Sequence, residues 1–460
     1  MTAGEASARA ERNVVSLLEG MDIYQGPPSN LRLDNELLSK HVLLLGGIGS
    51  GKTNAMKHLI SQLRNNAAPD DVFVIFDTKG DFLRSFYRPG DAVISSSPGD
   101  DPGGVVWNLF CDLPGDAGTR EEEIYEIAST VFSDELEQAG ENIFFAAAAR
   151  DIFAAVVQVM AGQDQPRENP YSNEQLRETL ELPADRLQEL LESDKRLAGT
   201  TRYLQGGDSV ESILAFLQLT LRKSFSGVFR RRGDFSVRDF IRRRGGRALF
   251  IEYDIATGSS LLPVYRVLMD MAIKEALGLG RRRLRTVRPV PDNFYFVMDE
   301  FALLPRLSHM SDGINFGREL GLKFLVATQN VNQVLRGYTP EIAESILSGF
   351  GTLFAFRLMD EASRGIVRQR FGANRKQITT YSPVRHEGVR QTVVSGNVIE
   401  DWHMSGLERF RCIASLPEGP PFFFRFQRFQ GVSAPAGPAG AVPSSPPAAR
   451  SAQRDGRLGP

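Results

Sequence analysis

Short, continuous apolar runs alternate along this chain with stretches in which apolar positions recur every three or four residues. His41–Leu45, Asp71–Asp77, Asp91–Ser95, Arg247–Tyr253, Asn293–Glu300, Gly321–Asn330 and Thr352–Arg357 are rich in Val, Ile, Leu and Phe. They show little alternation with polar residues, which is what strands buried on both faces require. Helical spacing follows the first of them over Asn54–Leu63 and precedes the Asn293 run over Ser259–Leu279. Strands separated by helices predict an α/β fold built on a mostly parallel sheet.

Between Leu113 and Gly233 the pattern is helical throughout. It predicts helices over Arg120–Phe132, Glu141–Met160, Ser172–Leu180, Ala184–Glu192 and Val210–Phe229, with loops at Ala139-Gly140 and Gln163–Pro170. The block therefore reads as an all-helical domain inserted into the sheet. Ile143 to Met160 is the longest apolar stretch, but Arg150 and Asp151 interrupt it, so it is expected to be a buried helix rather than a membrane span. Asn13–Leu18 is too short to span, and neither a transmembrane segment nor a signal peptide is expected. From Gln430 onward Ala, Pro, Gly and Ser dominate, which predicts a disordered tail. The expected organisation is an N-terminal segment (1–24), a first part of the α/β domain (25–112), the helical insertion (113–233), a second part of the α/β domain (234–429) and the tail (430–460).

Composition changes this picture little. Of the 460 residues 42% are hydrophobic and 24% charged, as in ordinary globular proteins. The two cysteines, Cys111 and Cys412, are far apart, and the histidines at 41, 58, 309, 386 and 403 are scattered, so neither a disulfide framework nor a zinc cluster is expected. Net charge is −2, yet the arginines are clustered: Arg230, Arg231 and Arg232; Arg242, Arg243 and Arg244; and Arg281, Arg282 and Arg283 with Arg285. Such runs serve either as solvated faces or as phosphate-tracking patches, the latter concentrating charge on one surface of a near-neutral protein. The first and last clusters, Arg230–Arg232 and Arg281–Arg283, are the candidates for such a phosphate-tracking patch.

The chemistry lies where the first apolar run ends. Gly46-Gly47-Ile48-Gly49-Ser50-Gly51-Lys52-Thr53, followed by Asn54, fits G-x-x-x-x-G-K-[ST] between a strand and a helix. Its backbone N–H groups and the helix N-terminus would cradle phosphates, Lys52 would reach the β- and γ-phosphates, and Thr53 would hold Mg2+. The Asn293 run ends in Asp299 and Glu300, delivered to the carboxyl edge of the sheet, the first to magnesium and the second to an attacking water as general base, the alternative being that Asp299 caps the next helix and Glu300 is solvated. Gln329, at the end of the Gly321 run, is a candidate to sense the γ-phosphate or position the water, or else an amide that caps a loop. Arg357, at the end of the Thr352 run, either reaches a neighbouring subunit's nucleotide or pairs with Asp360 or Glu361 in its own chain.

Several stretches together resemble a family. The Gly46–Thr53 loop, Phe76-Asp-Thr-Lys-Gly-Asp81, Trp107-Asn-Leu-Phe110, Met298-Asp-Glu-Phe301, Ala327-Thr-Gln-Asn330, Phe356-Arg357 and the Arg-Phe-Gly at 370–372 occur in one order over about residues 25 to 430. In this the chain resembles the type IV secretion coupling ATPases of conjugation systems, within the FtsK–HerA class of hexameric DNA pumps. The resemblance implies a RecA-like P-loop nucleotide-binding domain with an inserted all-α domain. It also implies ATP and Mg2+ as cofactors and DNA as partner, with a homo-hexameric ring and relaxosome or secretion-channel proteins as further partners. Lys52, Thr53, Asp299, Glu300, Gln329 and Arg357 match the family's nucleotide-site positions. Coupling proteins of this family usually begin with membrane-spanning helices, and the polar start of this sequence departs from that pattern. The expected location is accordingly the cytoplasm, or the inner face of the membrane through partners.

The expected function is an ATP-driven DNA translocase that feeds DNA to a secretion or conjugation machinery. Three alternatives share the core: a HerA-like pump in DNA repair or defence, a coupler of protein substrates, and an ATP-dependent assembly switch without motor activity.

Overall fold

The computed structural model describes residues 16–20, 29–162, 171–255, 258–284, 293–381 and 389–431. The expected loop at 163–170, most of the N-terminal segment, Arg285 and the tail beyond Gly431 lie outside them. Residues up to Phe429 form one compact unit.

Strands β1 (Ser16–Gly20) and β2 (Ser29–Leu33) pair antiparallel, so the boundary expected at residue 24 falls between two paired strands. Then come β3 (Val42–Leu45), β4 (Val72–Asp77) and β5 (Ala92–Ile94), followed by the helical block. The chain continues through β6 (Arg247–Glu252), β7 (Phe294–Met298), β8 (Leu322–Thr328) and β9 (Thr352–Ala355). It ends in β10 (Ala373–Tyr381), β11 (Val389–Asn397), β12 (Arg411–Ser415) and β13 (Phe422–Arg425). Nine strands make one sheet in the order β13-β12-β9-β3-β8-β7-β4-β6-β5. The seven from β9 to β5 run parallel, and β12 and β13 extend the β9 edge antiparallel. Separately, β10 and β11 form a two-stranded hairpin.

Both sheet faces are covered, which explains the uninterrupted apolar strands. Leu43 and Leu45 face one core, and Val42 and Leu44 the other. Against the second face lies the helix Lys52–Asn65, whose Ala55, Met56, Leu59, Ile60 and Leu63 follow helical spacing and are buried. It starts after Gly51, whose φ of 121° is strained for any residue with a Cβ.

The helical block lies between β5 and β6 and packs around the helix Ile143–Gly162, which contacts Ala117–Val131, Asn173–Leu180, Ala184–Glu192 and Gly207–Ser224. With the turn before it, this is the described helix long and apolar enough to cross a membrane. Its Ile152, Phe153, Val156, Val157 and Met160 are spent instead on the core of the block. Ser172 and Gln175 close a capping box at the start of Asn173–Leu180.

The neck of the block is tied by the Trp107-Asn108 motif. Trp107 bridges to Phe235, and its indole N–H donates to Asp112 at 2.6 Å. Asp112, fully buried, also accepts from the Ser236 hydroxyl and the N–H groups of Val237 and Arg238. Asn108 donates to the carbonyls of Tyr171 and Gly233, and Asn173 joins Trp107 to Leu109. The chain leaving the sheet is thus hydrogen-bonded to the chain returning to it.

Two helices differ from expectation. Val210–Phe229 is instead Gly207–Ser224 followed by a separate 3-10 turn, Gly227–Arg230, broken where Gly227 takes φ 56°. Ser259–Leu279 extends to Gly258–Leu284, carrying Arg281–Arg283 on its last turn, where cations complement the helix dipole.

Candidate functional site

The parallel strands end on one edge, and their exits converge there. Gly46 N–H donates to Thr328 O (3.3 Å) and Gly47 N–H to Arg357 O (2.9 Å), fastening the Gly-rich loop between β8 and β9. The Lys52 ammonium, 8% exposed, donates to the carbonyls of Gly46 and Gly47. Burial pulls its pKa down, against the opposing pull of Glu300 and Asp299. Ser50 is buried with no partner for its hydroxyl among the described residues, as a loop built to wrap an anion would leave it.

Asp299 and Glu300 follow β7 and are both buried. Asp299 accepts from the hydroxyls of Thr53 (3.4 Å) and Thr78 (3.2 Å), so the two expected magnesium ligands come together. A hydroxyl and a carboxylate are hard oxygen donors of the kind Mg2+ takes, and the pair fits that ion. Burial raises the pKa of Asp299, partly offset by Lys79. Glu300 accepts from the Thr328 hydroxyl (3.2 Å) and Gln329 N–H (3.3 Å), and burial raises its pKa despite nearby Lys52. A carboxylate shifted upward in this way suits a general base. Glu300, which precedes the following turn, does not cap it through its side chain.

Together these groups line a cavity of about 570 Å³ that holds Gly47 to Asn54, Asp299, Glu300 and Gln329. The three polar residues ending β8 divide the work: Thr328 holds Glu300, Gln329 faces the cavity, and Asn330 caps the next helix. Ile48 is 80% exposed at the loop tip. The Asn54 amide donates to Gln427 O and accepts from Phe429 N–H, tying the phosphate-loop helix to the chain after β13. Arg357 is exposed beside the loop and outside this cavity. Of its expected partners, Asp360 caps the helix Glu361–Phe371, and Glu361 pairs with Arg364 and Arg368.

A family model describing the type IV secretion-system coupling protein DNA-binding domain matches residues 29–418. The chain belongs to this coupling-protein family. It is 24% identical to the coupling protein TraD of Escherichia coli (strain K12) over 408 residues, 84% of this chain and 52% of TraD, so it spans about half of that relative's length. The fold matches the bacterial conjugative coupling protein TrwBdeltaN70 with a TM-score of 0.69 at 19% identity, covering 88% of this chain and 89% of the other. TrwB in complex with a non-hydrolysable ATP analogue gives 0.68 at 20% identity, over 89% of each chain. VirB4 of Thermoanaerobacter pseudethanolicus is more distant, at 0.52 and 13% identity over 91% of this chain and 97% of VirB4. The fold is therefore RecA-like, a P-loop domain with an all-α insertion.

Several groups at the site of this coupling-protein family member were not singled out from sequence. Thr78 and Lys79 belong to the Asp77-Thr-Lys-Gly80 motif, whose Asp77 accepts from Phe82 and Leu83 N–H at 2.8 Å and so aims Thr78 at Asp299. Tyr253, Ile255, Arg409 and Phe410 also line the cavity, and the sequence around them carries no motif.

Of the candidate DNA contacts, Arg230, Arg231 and Arg232 are exposed at the turn that ends the helical block. Arg281 and Arg282 are exposed and Arg283 is half-buried, and Arg282 pairs with Glu275 at 3.0 Å. Their helix starts after β6 and runs back to the start of β7, so this cluster lies at the edge of the sheet away from the phosphate loop. Glu126, Asp270 and His309 lie within 4.8 Å of one another. The two nitrogens of His309 face different carboxylates, and Lys274 already pairs with Glu126, so the cluster is an ion-pair network.

Proposed function

We propose that this chain is an ATP-driven DNA translocase that feeds DNA to a secretion or conjugation machinery as a homo-hexameric ring. The observation that carries the reading is the meeting of Thr53 with Asp299, and of Glu300 with Thr328 and Gln329, beside Lys52 in one cavity. Membership of the coupling-protein family supports it, as do TrwB structures in complex with ATP and GTP analogues and with ADP and Mg2+.

In this reading the N–H groups of Gly47 to Lys52 hold the phosphates, Lys52 turns from its loop carbonyls to the β- and γ-oxygens, and Thr53 and Asp299 hold Mg2+. The ion would supply neutralisation of the charge on those oxygens. Glu300, whose carboxylate accepts from the Thr328 hydroxyl and Gln329 N–H, takes the proton of the attacking water. The Gln329 side chain senses the γ-phosphate, and Arg357 acts on the neighbouring subunit's nucleotide.

Residues 25–112 with 234–429 act as the motor domain, and 113–233 as the inserted domain that meets cargo or relaxosome. Arg306, in the segment after Glu300, bonds Asp134 of the helical block at 3.2 Å, and Arg266 bonds the same carboxylate at 2.9 Å. This link carries the hydrolysis stroke into the insertion. The chain works in the cytoplasm or against the inner face of the membrane through partners.

Steady-state ATP hydrolysis with and without single- and double-stranded DNA tests the reading, with Glu300→Gln as control and a mass determination in ATP. DNA stimulation that vanishes in the variant, together with a hexamer, supports it. DNA-indifferent hydrolysis favours a protein coupler, and negligible hydrolysis with ATP-driven assembly favours a switch.

A further inference from the structure

The sheet order leaves the cavity wall on one side of the phosphate loop without an assigned role. β3 carries the loop, and the strands that bring Glu300, Asp299 and Thr78 all lie to one side of it. On the other side lie β9 and then β12. Because β12 runs antiparallel to β9, the residues that precede it, rather than those that follow it, come to the phosphate edge. Those residues are Arg409 and Phe410.

Both line the cavity, and both are held against the loop. Phe410 has φ 69°, a conformation that a bulky side chain adopts only when its surroundings over-determine it. Two backbone hydrogen bonds of 2.9 Å do so: Phe410 N–H donates to Ser50 O within the phosphate loop, and Phe410 O accepts from Phe426 N–H. The ring lies over Gly51, where a Cβ would come within 2.9 Å of Phe410 Cδ1. The exposed Arg409 guanidinium stacks on the ring, 4.8 Å from its centroid.

We propose that Arg409 and Phe410 form the stacking wall for the nucleoside base, which makes them the part of the site that recognises a purine rather than a bare triphosphate. The inference rests on the nucleotide reading above. With the γ-phosphate at Glu300 and the chain of phosphates laid along the loop, the nucleoside emerges on the β12 side, against this wall. A ring and a guanidinium offer flat π and cationic surfaces to any base. They do not read the edge that separates adenine from guanine, so the wall accepts both purines.

Calorimetric titration of the full chain in a Glu300→Gln background tests this, with Mg2+ and ATP, GTP or inorganic tripolyphosphate as probes. Phe410→Gly removes the ring and suits the positive φ, and Phe410→Asn, which also tolerates that backbone, guards against a folding artefact. The expected result is roughly tenfold weaker binding of both ATP and GTP in each Phe410 variant and a smaller loss in Arg409→Ala. Tripolyphosphate affinity should stay within about twofold. Equal losses for tripolyphosphate and ATP would mean that the ring only shapes the phosphate loop, and would overturn the proposal. No loss for any probe, or a loss confined to one purine, would overturn it too. If the parent chain binds neither ATP nor tripolyphosphate, the nucleotide reading itself fails and the wall fails with it.

Discussion

The hydroxyl of Thr328 donates to Glu300 Oε1 across 3.2 Å, linking the ends of two adjacent parallel strands. Burial raises the Glu300 pKa, and this bond, with that from Gln329 N–H, restrains the rise. A base must be ionised to act, so hydrolysis should fall as pH drops through the raised value. Thr328→Val removes a donor to the ionised form and should move the acidic limb of the kcat profile toward higher pH. Glu300→Gln should lower kcat by about 10²-fold or more with nucleotide binding retained. An unmoved acidic limb in Thr328→Val would mean that another group sets it.

How far this site was legible in the sequence depends on which end of a strand supplied each residue. Lys52 and Thr53 were marked by the Gly-rich motif after β3, while Asp299, Glu300 and Gln329 directly follow parallel strands, so apolar runs ending in polar residues pointed to them. Arg409 and Phe410 precede an antiparallel strand, and no periodicity marks the start of a strand as a site. Strands β10 and β11 escaped for a related reason: Asn374, Arg375, Gln377, Thr379, Gln391 and Thr392 are exposed, so no buried face imposed a pattern. The helical insertion was legible because its helices bury one stripe each, as Leu187 and Leu191 do. Its neck was visible only as the Trp107-Asn108 motif, since the partners Asp112, Asn173 and Ser236 are brought together by the fold.

That neck gives a stability prediction. Asp112 is fully buried, and desolvation raises its pKa against four donors that favour the carboxylate. Asp112→Ala would leave the Trp107 indole, the Ser236 hydroxyl and two backbone N–H groups unpaired, at a cost on the order of 3 kcal/mol. Denaturant unfolding should show that loss, and limited proteolysis should cut first near residues 107–112 or 233–238. Unchanged stability would show that water replaces the carboxylate without strain.

His309 predicts a pH dependence of opposite sense. Its ring lies 2.9 Å from Asp270 and 3.1 Å from Glu126, with Lys274, Glu123 and Arg238 next in the network. Burial disfavours the imidazolium, but Asp270 and Glu126 outweigh it and raise the pKa above 6.5. A raised folded value means that the stabilisation is complete below about 6.5 and is lost as pH rises through the folded value. The stability difference between wild type and His309→Gln should be largest near pH 6 and shrink toward about pH 9. A difference independent of pH would identify His309 as a packing residue only.

Arg306 and Asp134 separate turnover from coupling. Arg306 lies outside the nucleotide cavity yet joins the segment after Glu300 to the helical block. Arg306→Ala should leave hydrolysis without DNA within about twofold and reduce the stimulation by DNA several-fold. Asp134→Ala should reproduce the effect, and the double variant should fall short of the sum of the two losses, because the residues share one contact while Arg306 also pairs with Glu137 and Asp134 with Arg266. Full stimulation in both single variants would route the coupling through another part of the interface.

Arg357 distinguishes a site completed by a neighbour from one complete in itself. It is exposed, its carbonyl is fixed by Gly47 N–H, and the carboxylates nearest in sequence are engaged elsewhere. If the guanidinium serves the next subunit's nucleotide, rings made wholly of Arg357→Ala or wholly of Lys52→Ala subunits should both be nearly inactive. Mixed rings should then regain activity, because an Arg357→Ala subunit keeps its Lys52 and can borrow the arginine of a Lys52→Ala neighbour. Titrating one variant into the other should give a maximum near equal proportions, well above either end. A flat line at the level of the pure variants would mean that each subunit uses its own Arg357. High activity of the pure Arg357→Ala ring would remove the residue from the reaction altogether.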